Sequence, residues 1–256
     1  FAIFICLILR IKIISRSNSS SSGWSQNLFK QKIFEFFFRR TNEIIVNSYE
    51  FKNEMDSKYK INTNCILNPF DFKKIKKLSL IPIKKIFKKN KLKLISIGRL
   101  TYQKDFLTLL KAIKNCKRKE IELVILGKGI ESNKLKSFCI SNKITSKVKF
   151  LGYKQNPFNY IKQADIFILT SIFEGSPNVL IEALFLNKYV ISTDCPTGPK
   201  EILGNGKYGT LIKIGNFSQL AREIEKFKIN DKIRTKIRSS NKILTKYDLN
   251  KNCEKY

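Results

Sequence analysis

The chain has no histidine among its 256 residues. Histidine is the usual general base beside a serine or cysteine nucleophile and a common zinc ligand, so its absence excludes a Ser–His–Asp triad and a His-based zinc site. The cysteines form no CxxC pair, which argues against a Cys-only zinc site and favours reduced, structural thiols in a cytosolic protein. They are widely spaced: Cys6, Cys65, Cys116, Cys139, Cys195 and Cys253.

Several motifs for phosphate binding and nucleophilic catalysis are also missing. No GxxxxGK[ST] loop is present, which argues against a P-loop kinase or ATPase. No complete GxGxxG follows the first strand of the regular α/β pattern, and no GxSxG occurs. No DxD pair is present either, so we expect no metal ion to hold a diphosphate.

Acidic residues are scarce. The chain has 20 Asp and Glu against 50 Lys and Arg, a formal net charge of +30. Such a charge suggests a polyanionic partner such as nucleic acid, a membrane surface or a phosphorylated ligand. The excess is mostly lysine scattered through every segment, whereas base recognition favours arginine. We therefore expect no nucleic-acid partner and interpret the charge as compositional bias that adds modest attraction to an anionic bilayer.

The beginning of the chain is unusually apolar. The run from Phe1 to Leu9 is too short to span a bilayer and lacks the basic leader of a signal peptide. We predict a buried strand there, in a chain that is missing its true amino terminus. The overall hydrophobic content of 43% is that of a globular protein.

From Leu92 onward, apolar β-branched runs alternate with amphipathic helices. This pattern predicts an α/β fold with a doubly wound, Rossmann-like parallel sheet covered on both faces. A lysine-rich polar stretch over residues 68–90 predicts a linker before this domain, which spans residues 91–256. Ligands bind such sheets beyond the carboxyl ends of the strands. The predicted strands are Leu92–Ile97, Glu122–Leu126, Val148–Leu151, Ile166–Leu169, Tyr189–Ser192 and Gly209–Ile212.

Two glutamates flank one of the predicted strand-to-helix turns. Glu174 precedes Gly175, Ser176 and a proline suited to a first helical turn, and Glu182 lies one helical turn further on. We predict that the N–H groups at this helix start bind a phosphate, that Glu182 accepts from vicinal hydroxyls and that Glu174 meets a sugar. A capped helix with two ordinary carboxylates is the alternative. The predicted phosphate-binding amides are those of Asn178, Val179 and Leu180.

Basic residues and glycines follow other strands at the same edge. Arg99 follows Gly98, and Lys104 opens the next predicted helix, where the two cations could clamp a diphosphate. Solvated surface charge is the alternative. Further turns at this edge contain glycines that could admit a nucleotide or simply reverse the chain: Gly127, Gly129 and Gly152.

Together these motifs resemble the family-4 retaining glycosyltransferases of GT-B fold, from about Asn68 to the end. The loop from Cys195 to Pro199, with its two prolines, is similar to that of members acting on lipid-linked glycans, lipopolysaccharide or capsule. The five motifs in order make the resemblance specific. They are Gly98-Arg99-Leu100 with Lys104; Leu126-Gly-Lys-Gly129; Phe150-Leu-Gly152; Glu174-x7-Glu182; and Cys195-Pro-Thr-Gly-Pro-Lys-Glu-Ile-Leu203 with Tyr208-Gly209.

The resemblance implies roles for individual residues. Arg99 and Lys104 would hold the donor diphosphate, Glu174 would face the donor sugar, and Glu182 would bind the nucleotide ribose. Residues 1–67 would be the remnant of an amino-terminal, acceptor-side domain. That domain in the family carries a glycine-rich loop and often a histidine, neither of which is present here.

The resemblance also implies the reaction and its partners. The chain would transfer a hexose or N-acetylhexosamine from a UDP-sugar to a glycan or lipid-linked acceptor, with retention and without metal, in the cytoplasm or on the inner face of the cell membrane. A polyanion-binding module and a non-catalytic glycosyltransferase-like subunit remain alternatives.

Overall fold

A computed structural model describes residues 2–19 and 27–255. These residues form two parallel sheets with helices packed around them. The strands are β1 (Ile14–Ser17), β2 (Glu43–Val46), β3 (Asn64–Cys65), β4 (Leu92–Ile97), β5 (Ile121–Leu126), β6 (Val148–Phe150), β7 (Ile166–Leu169), β8 (Tyr189–Thr193) and β9 (Thr210–Ile212). The α-helices are α1 (Ala2–Ile8), α2 (Leu28–Phe38), α3 (Tyr49–Lys58), α4 (Phe72–Ser79), α5 (Phe106–Asn115), α6 (Ser132–Ser141), α7 (Phe158–Gln163), α8 (Asn178–Phe185), α9 (Pro199–Ile202), α10 (Phe217–Lys226), α11 (Asp231–Ser239), α12 (Asn241–Leu244) and α13 (Leu249–Cys253).

The larger sheet confirms the predicted doubly wound domain. Its six strands are all parallel in the order β6-β5-β4-β7-β8-β9. Alternate residues of β4 point to opposite faces, so Leu94 joins the core under α5, α6 and α10 while Ile95 joins the core under α7 and α8. Burial on both faces explains why these strands read as continuous apolar runs.

The smaller sheet has the order β1-β2-β3 and is also parallel. Its core is formed by β2, α3 and the segment that follows α3, where Phe51 and Met55 are fully buried. Ser48 caps α3 by accepting from the N–H of Phe51 at 3.1 Å. Because the sheet is parallel, the chain after β1 and after β2 emerges at the same edge.

The prediction for the first residues was wrong. We expected a buried strand from Phe1 to Leu9, but the structure places helix α1 at Ala2–Ile8 with exposed side chains at Phe4 and Ile8. An unbroken apolar run lacks the alternation that would distinguish a strand from a helix. Phe1 itself lies outside the described residues.

The predicted linker contains a helix. Asp71 caps α4 by accepting from the N–H of Lys74 at 2.8 Å, and α4 then packs on α7. The lysines that made the segment read as polar lie on the solvent side of α4, while Ile75 on its other side is buried. Cationic side chains outnumber the one buried apolar residue of α4, which is why the helix was not apparent from composition.

Two glutamates join the smaller sheet's helix to the larger domain. Glu50 on α3 accepts from the N–H of Gly198 at 2.7 Å, and Glu201 on α9 accepts from the N–H of Glu50 at 3.1 Å. Burial raises the pKa of both carboxyls. This reciprocal pair of bonds fixes the two sheets on either side of a cleft.

Within the described part of the chain, every helix is too short or too polar to cross a lipid bilayer.

Candidate active site

Two adjoining cavities lie at the carboxyl edge of the larger sheet. The first has a volume of about 640 Å³ and the second, facing the smaller sheet, about 820 Å³. Gly98 and Arg99, which follow β4, line both cavities. The predicted strand-end turns therefore do converge, and Arg99 stands at the junction.

The turn after β5 is packed so closely that only glycine fits. Gly127 has φ 141°, and a Cβ there would lie 1.9 Å from the carbonyl oxygen of Gly98. Its N–H donates to the carbonyl oxygen of Gly152 at 2.9 Å. The turns after β4, β5 and β6 are thus stacked backbone to backbone, which leaves Gly98 and Gly127 as part of the floor of the first cavity.

Arg99 is an exposed cation that lines both cavities. Its side chain forms no salt bridge with any residue in the described ranges, although six salt bridges occur there. A guanidinium in this position offers its planar set of donors to both cavities. Chemically, it is suited to an oxyanion that bridges them.

Lys104 and Glu174 form the buried ion pair of the second cavity. Lys104 Nζ lies 2.5 Å from Glu174 Oε1, and the same oxygen accepts from the Ser171 hydroxyl at 2.5 Å. The side chains are only 14% and 7% exposed. We predicted from the sequence that each would reach a ligand separately, but the structure joins them to each other. Lys104 belongs to a 3₁₀ turn, Tyr102–Lys104, and not to α5 as we predicted.

The proline-rich loop from Cys195 to Pro199 is hydrogen-bonded to the backbone of Glu174 and Gly175. The N–H of Glu174 donates to the carbonyl oxygen of Pro196 at 2.6 Å, and the Thr197 hydroxyl donates to the carbonyl oxygen of Gly175 at 3.1 Å. Gly175 also meets the smaller sheet, because a Cβ there would lie 2.0 Å from the carbonyl oxygen of Asn18. The loop from Cys195 to Pro199 thus sets the direction of the Glu174 side chain without lining either cavity.

The start of α8 is only partly open. The N–H of Leu180 donates to the carbonyl oxygen of Pro177 at 3.0 Å, so this predicted phosphate donor is already used. Asn178 bonds through its side-chain oxygen to Asn68 Nδ2 at 2.6 Å. The backbone amides of Asn178 and Val179 remain at the helix start, where the helix dipole favours an anion.

Glu182 lies on the wall of the first cavity, one turn into α8. Burial raises the pKa of its carboxyl to about 7. No cation compensates this shift, since desolvation is its only cause. With this pKa, the carboxyl is partly protonated near neutral pH, and its ionised form can accept hydrogen bonds.

The structure separates the predicted site residues into two groups. Eight line a cavity: Gly98, Arg99, Lys104, Gly127, Glu174, Gly175, Val179 and Glu182. Five line neither cavity: Gly129, Gly152, Ser176, Asn178 and Leu180. The second group shapes the turns and the helix start that the first group occupies.

Several lining residues were missed. The segment after β6 supplies an apolar wall to the first cavity through Tyr153, Pro157 and Phe158. The rule that ligands bind beyond strand ends could have found them, because they directly follow a predicted strand. Phe34 and Phe38 on α2 and Arg16 on β1 line the second cavity, and no local motif marks them.

The greater part of this chain matches a known protein family. The family model for "Glycosyl transferases group 1" matches residues 80–243. This chain belongs to that family. It is 34% identical to an uncharacterized glycosyltransferase of Methanocaldococcus jannaschii over 220 residues, which are 77% of this chain and 54% of that protein.

A second relative has a named reaction. It is the N-acetylgalactosamine-N,N'-diacetylbacillosaminyl-diphospho-undecaprenol 4-alpha-N-acetylgalactosaminyltransferase of Campylobacter jejuni, 27% identical over 231 residues. The match covers 87% of this chain and 61% of that protein. The chain thus spans little more than half the length of these curated relatives.

The fold is that of the GT-B glycosyltransferases. The crystal structure of Anabaena HepE in complex with UDP and glucose superimposes with a TM-score of 0.84 at 18% identity. The superposition covers 99% of this chain and 72% of that chain. The predicted α/β fold class is confirmed.

Proposed function

We propose that this chain binds a UDP-sugar and transfers its sugar to a glycan or lipid-linked acceptor with retention of configuration. The observation that carries the proposal is the pair of cavities that meet at Arg99. One is apolar with a carboxylate on its wall, and the other contains the Lys104–Glu174 pair. A nucleotide sugar has the matching parts: a flat base, a ribose, a diphosphate and a hexose.

The first cavity suits the nucleoside. Tyr153, Pro157 and Phe158 offer apolar surface for a base, and Glu182 can accept from two vicinal ribose hydroxyls. Hydrogen bonds from the ribose would favour the ionised carboxylate and so lower the raised pKa of Glu182. The UDP in the HepE complex supports a uridine nucleotide as the first candidate.

The junction suits the diphosphate. Arg99 and the amides of Asn178 and Val179 supply positive charge at the place where the sugar–phosphate bond would break. Stabilising the departing diphosphate is the main chemical task of such a transfer, and a preorganised clamp of this kind contributes several kcal/mol. Lys104 adds charge from the second cavity, and we expect no metal ion to be required.

The second cavity suits the sugar and its acceptor. Glu174, held by Lys104 and Ser171, is placed to accept hydrogen bonds from sugar hydroxyls. The acceptor named for the Campylobacter relative is attached to diphospho-undecaprenol, which supports a hexose or N-acetylhexosamine transfer to a lipid-linked glycan here. We place the reaction in the cytoplasm or at the inner face of the cell membrane.

Calorimetric titration with UDP tests the residue assignments. We expect Arg99→Ala and Glu182→Gln each to weaken UDP binding by about tenfold or more, as lost charge-assisted hydrogen bonds do. Arg222→Ala on α10 is the matched control, because Arg222 is exposed and lies outside both cavities. Equal affinity in all four proteins would overturn the assignments.

Two further measurements separate the rival functions. A polyanion-binding module would bind any duplex DNA with a steep salt dependence, and DNA would compete with UDP. A non-catalytic subunit would bind UDP-sugars without releasing UDP. Incubation with UDP-glucose and UDP-N-acetylglucosamine, followed by assay of released UDP, distinguishes turnover from binding alone.

A further inference from the structure

Residues 72–89, which we call the lysine strap, carry eight lysines and no acidic residue. All eight side chains are exposed, and none forms a salt bridge with a residue that the structure describes. Charge of one sign is therefore concentrated here, in contrast to the even scatter inferred from the sequence. The lysines are Lys73, Lys74, Lys76, Lys77, Lys84, Lys85, Lys88 and Lys89.

The strap is held against α7 by amide side chains. Asn156 Nδ2 donates to the carbonyl oxygen of Leu78 at 2.9 Å, and Asn159 Nδ2 donates to that of Ile81 at 3.3 Å. One helical turn on, Gln163 Oε1 accepts from the N–H of Ile86 at 3.1 Å. The backbone of the strap thus follows one side of α7 in an ordered path.

The end of the strap is fixed to the edge of the larger sheet. Lys149 Nζ on β6 donates to the carbonyl oxygen of Ile86 at 2.7 Å, and Glu122 on β5 accepts from the N–H of Lys88 at 2.6 Å. Phe87 between them is buried in the core. With its backbone and the side chain of Phe87 anchored inward, the strap presents its lysines outward.

Two aliphatic side chains interrupt the lysines. Leu80 and Ile81 are 59% and 47% exposed and lie between the group on α4 and the group at Lys84 and Lys85. Nearby carboxylates are already engaged: Asp71 caps α4, and Glu122 is buried beside Lys149 at 2.6 Å. The surface therefore combines uncompensated positive charge with a small apolar protrusion.

We propose that the lysine strap docks this protein on an anionic lipid bilayer. Clusters of about four to eight lysines bind acidic headgroups, and exposed aliphatic side chains enter the headgroup boundary. Duplex nucleic acid fits this surface less well, because the strap contains no arginine and two of its exposed side chains are aliphatic. Bilayer docking does not depend on which nucleotide the cavities bind.

Docking through the strap would also orient the active site. Asn156 holds the strap, while its neighbours Gln155 and Pro157 line the first cavity. Residues 155–157 therefore contact the strap on one side and line the first cavity on the other. A bilayer bound at the strap would keep the cavity at a fixed height above the headgroups, which suits an acceptor anchored in the same membrane.

Vesicle flotation tests the proposal. The 256-residue chain is mixed with phosphatidylcholine vesicles, either pure or containing about 30 mol% phosphatidylglycerol. We expect binding to the anionic vesicles only. Replacing the four α4 lysines, Lys73, Lys74, Lys76 and Lys77, by Gln should weaken that binding at least about tenfold, given about fivefold per lysine near an anionic surface.

A charge-matched variant controls for net charge. Lys114, Lys119, Lys136 and Lys226 are exposed on the α5, α6 and α10 side of the molecule, and replacing them by Gln removes the same charge. This control should float like the wild type. Equal losses in the two quadruple variants, or no binding by the wild type, would overturn the proposal.

The aliphatic pair separates lipid from nucleic acid. Leu80→Ser with Ile81→Ser should weaken vesicle binding several-fold while leaving the weak, salt-sensitive binding to duplex DNA unchanged. If the pair has no effect on vesicles and DNA displaces them fully, the strap is a nucleic-acid surface. Near-identical thermal unfolding of all variants confirms that each compared protein is folded.

Discussion

Lys104 Nζ lies 2.5 Å from Glu174 Oε1, and both side chains are almost completely removed from solvent. The pair connects the turn after β4 to the loop before α8, so it joins two strands' ends across the site. Ser171 donates to the same carboxylate oxygen. A buried pair of this kind contributes little net stability when intact, but each member is costly to leave alone.

Removing both members of the pair should cost less than the sum of the two single changes. We expect Lys104→Met and Glu174→Gln each to lower the free energy of unfolding by about 3 kcal/mol. The double variant should lose less than the sum, with a coupling of about 1–3 kcal/mol. Urea denaturation of the four proteins measures this coupling, and strictly additive losses would show that the two charges do not depend on each other.

Glu182 should make stability depend on pH. Its pKa is raised from 4.5 to about 7 in the folded chain, so the folded state keeps a proton that the unfolded state releases between these values. The free energy of unfolding should therefore fall as pH rises through this window, by no more than about 3 kcal/mol. Glu182→Gln should be more stable than the wild type at pH above about 7 and similar to it at pH below about 4.5.

Comparing this variant with the wild type at each pH isolates Glu182 from Glu50 and Glu201, whose pKa values are also raised. Urea unfolding across the pH series is the measurement. A constant difference between the two proteins at every pH would contradict the assigned shift.

Asp105 should be difficult to replace. It has φ 41°, in the left-handed region, and its side chain caps α5 by accepting from the N–H of Thr108 at 3.1 Å. Ala would lose the cap and retain the unfavourable backbone, at a cost of about 2 kcal/mol. Gly should cost less because it adopts a positive φ without strain. Asn should cost least because it tolerates a positive φ and its side-chain oxygen can still cap α5. Thermal unfolding in the order Asn, Gly, Ala checks the ranking.

Gly127 and Gly152 allow a matched test of how closely the backbone packs at the floor of the first cavity. A Cβ at Gly127 would overlap the carbonyl oxygen of Gly98, whereas a Cβ at Gly152, with φ 69°, would meet nothing within 4 Å. We expect Gly127→Ala to cost on the order of 3–5 kcal/mol and Gly152→Ala about 1 kcal/mol, from backbone strain alone. Comparable losses measured by urea denaturation would show that the close approach is relieved by a small shift.

Much of the larger domain could be predicted because its signals are local. Strands β4 and β7 begin and end where the hydrophobic periodicity placed them, since parallel strands covered on both faces leave long apolar runs. The edge of the sheet at which the site lies could be predicted from the parallel direction of the strands. The glutamates and Arg99 were found because strand ends must converge there.

The remaining features depend on contacts between distant residues. No local pattern says that Lys104 pairs with Glu174, that Phe34 and Phe38 line the second cavity, or that α1 is a helix. The lysine strap shows this most clearly. The number of its lysines is evident from the sequence, but the sequence does not show that they lie on one side of the molecule. That side is set by Asn156, Asn159 and Gln163, which bind the strap's backbone from α7 and the turn before it.

The sequence by itself therefore determined the α/β architecture, the edge at which the site forms and the residue types that meet there. Periodicity and turn chemistry act within a few residues, so they can be read directly from the chain. Only the tertiary structure decided which charges neutralise each other, which remain open to a ligand and which lie together on one surface. Those outcomes depend on distances across the fold, where burial and partner geometry set the electrostatics.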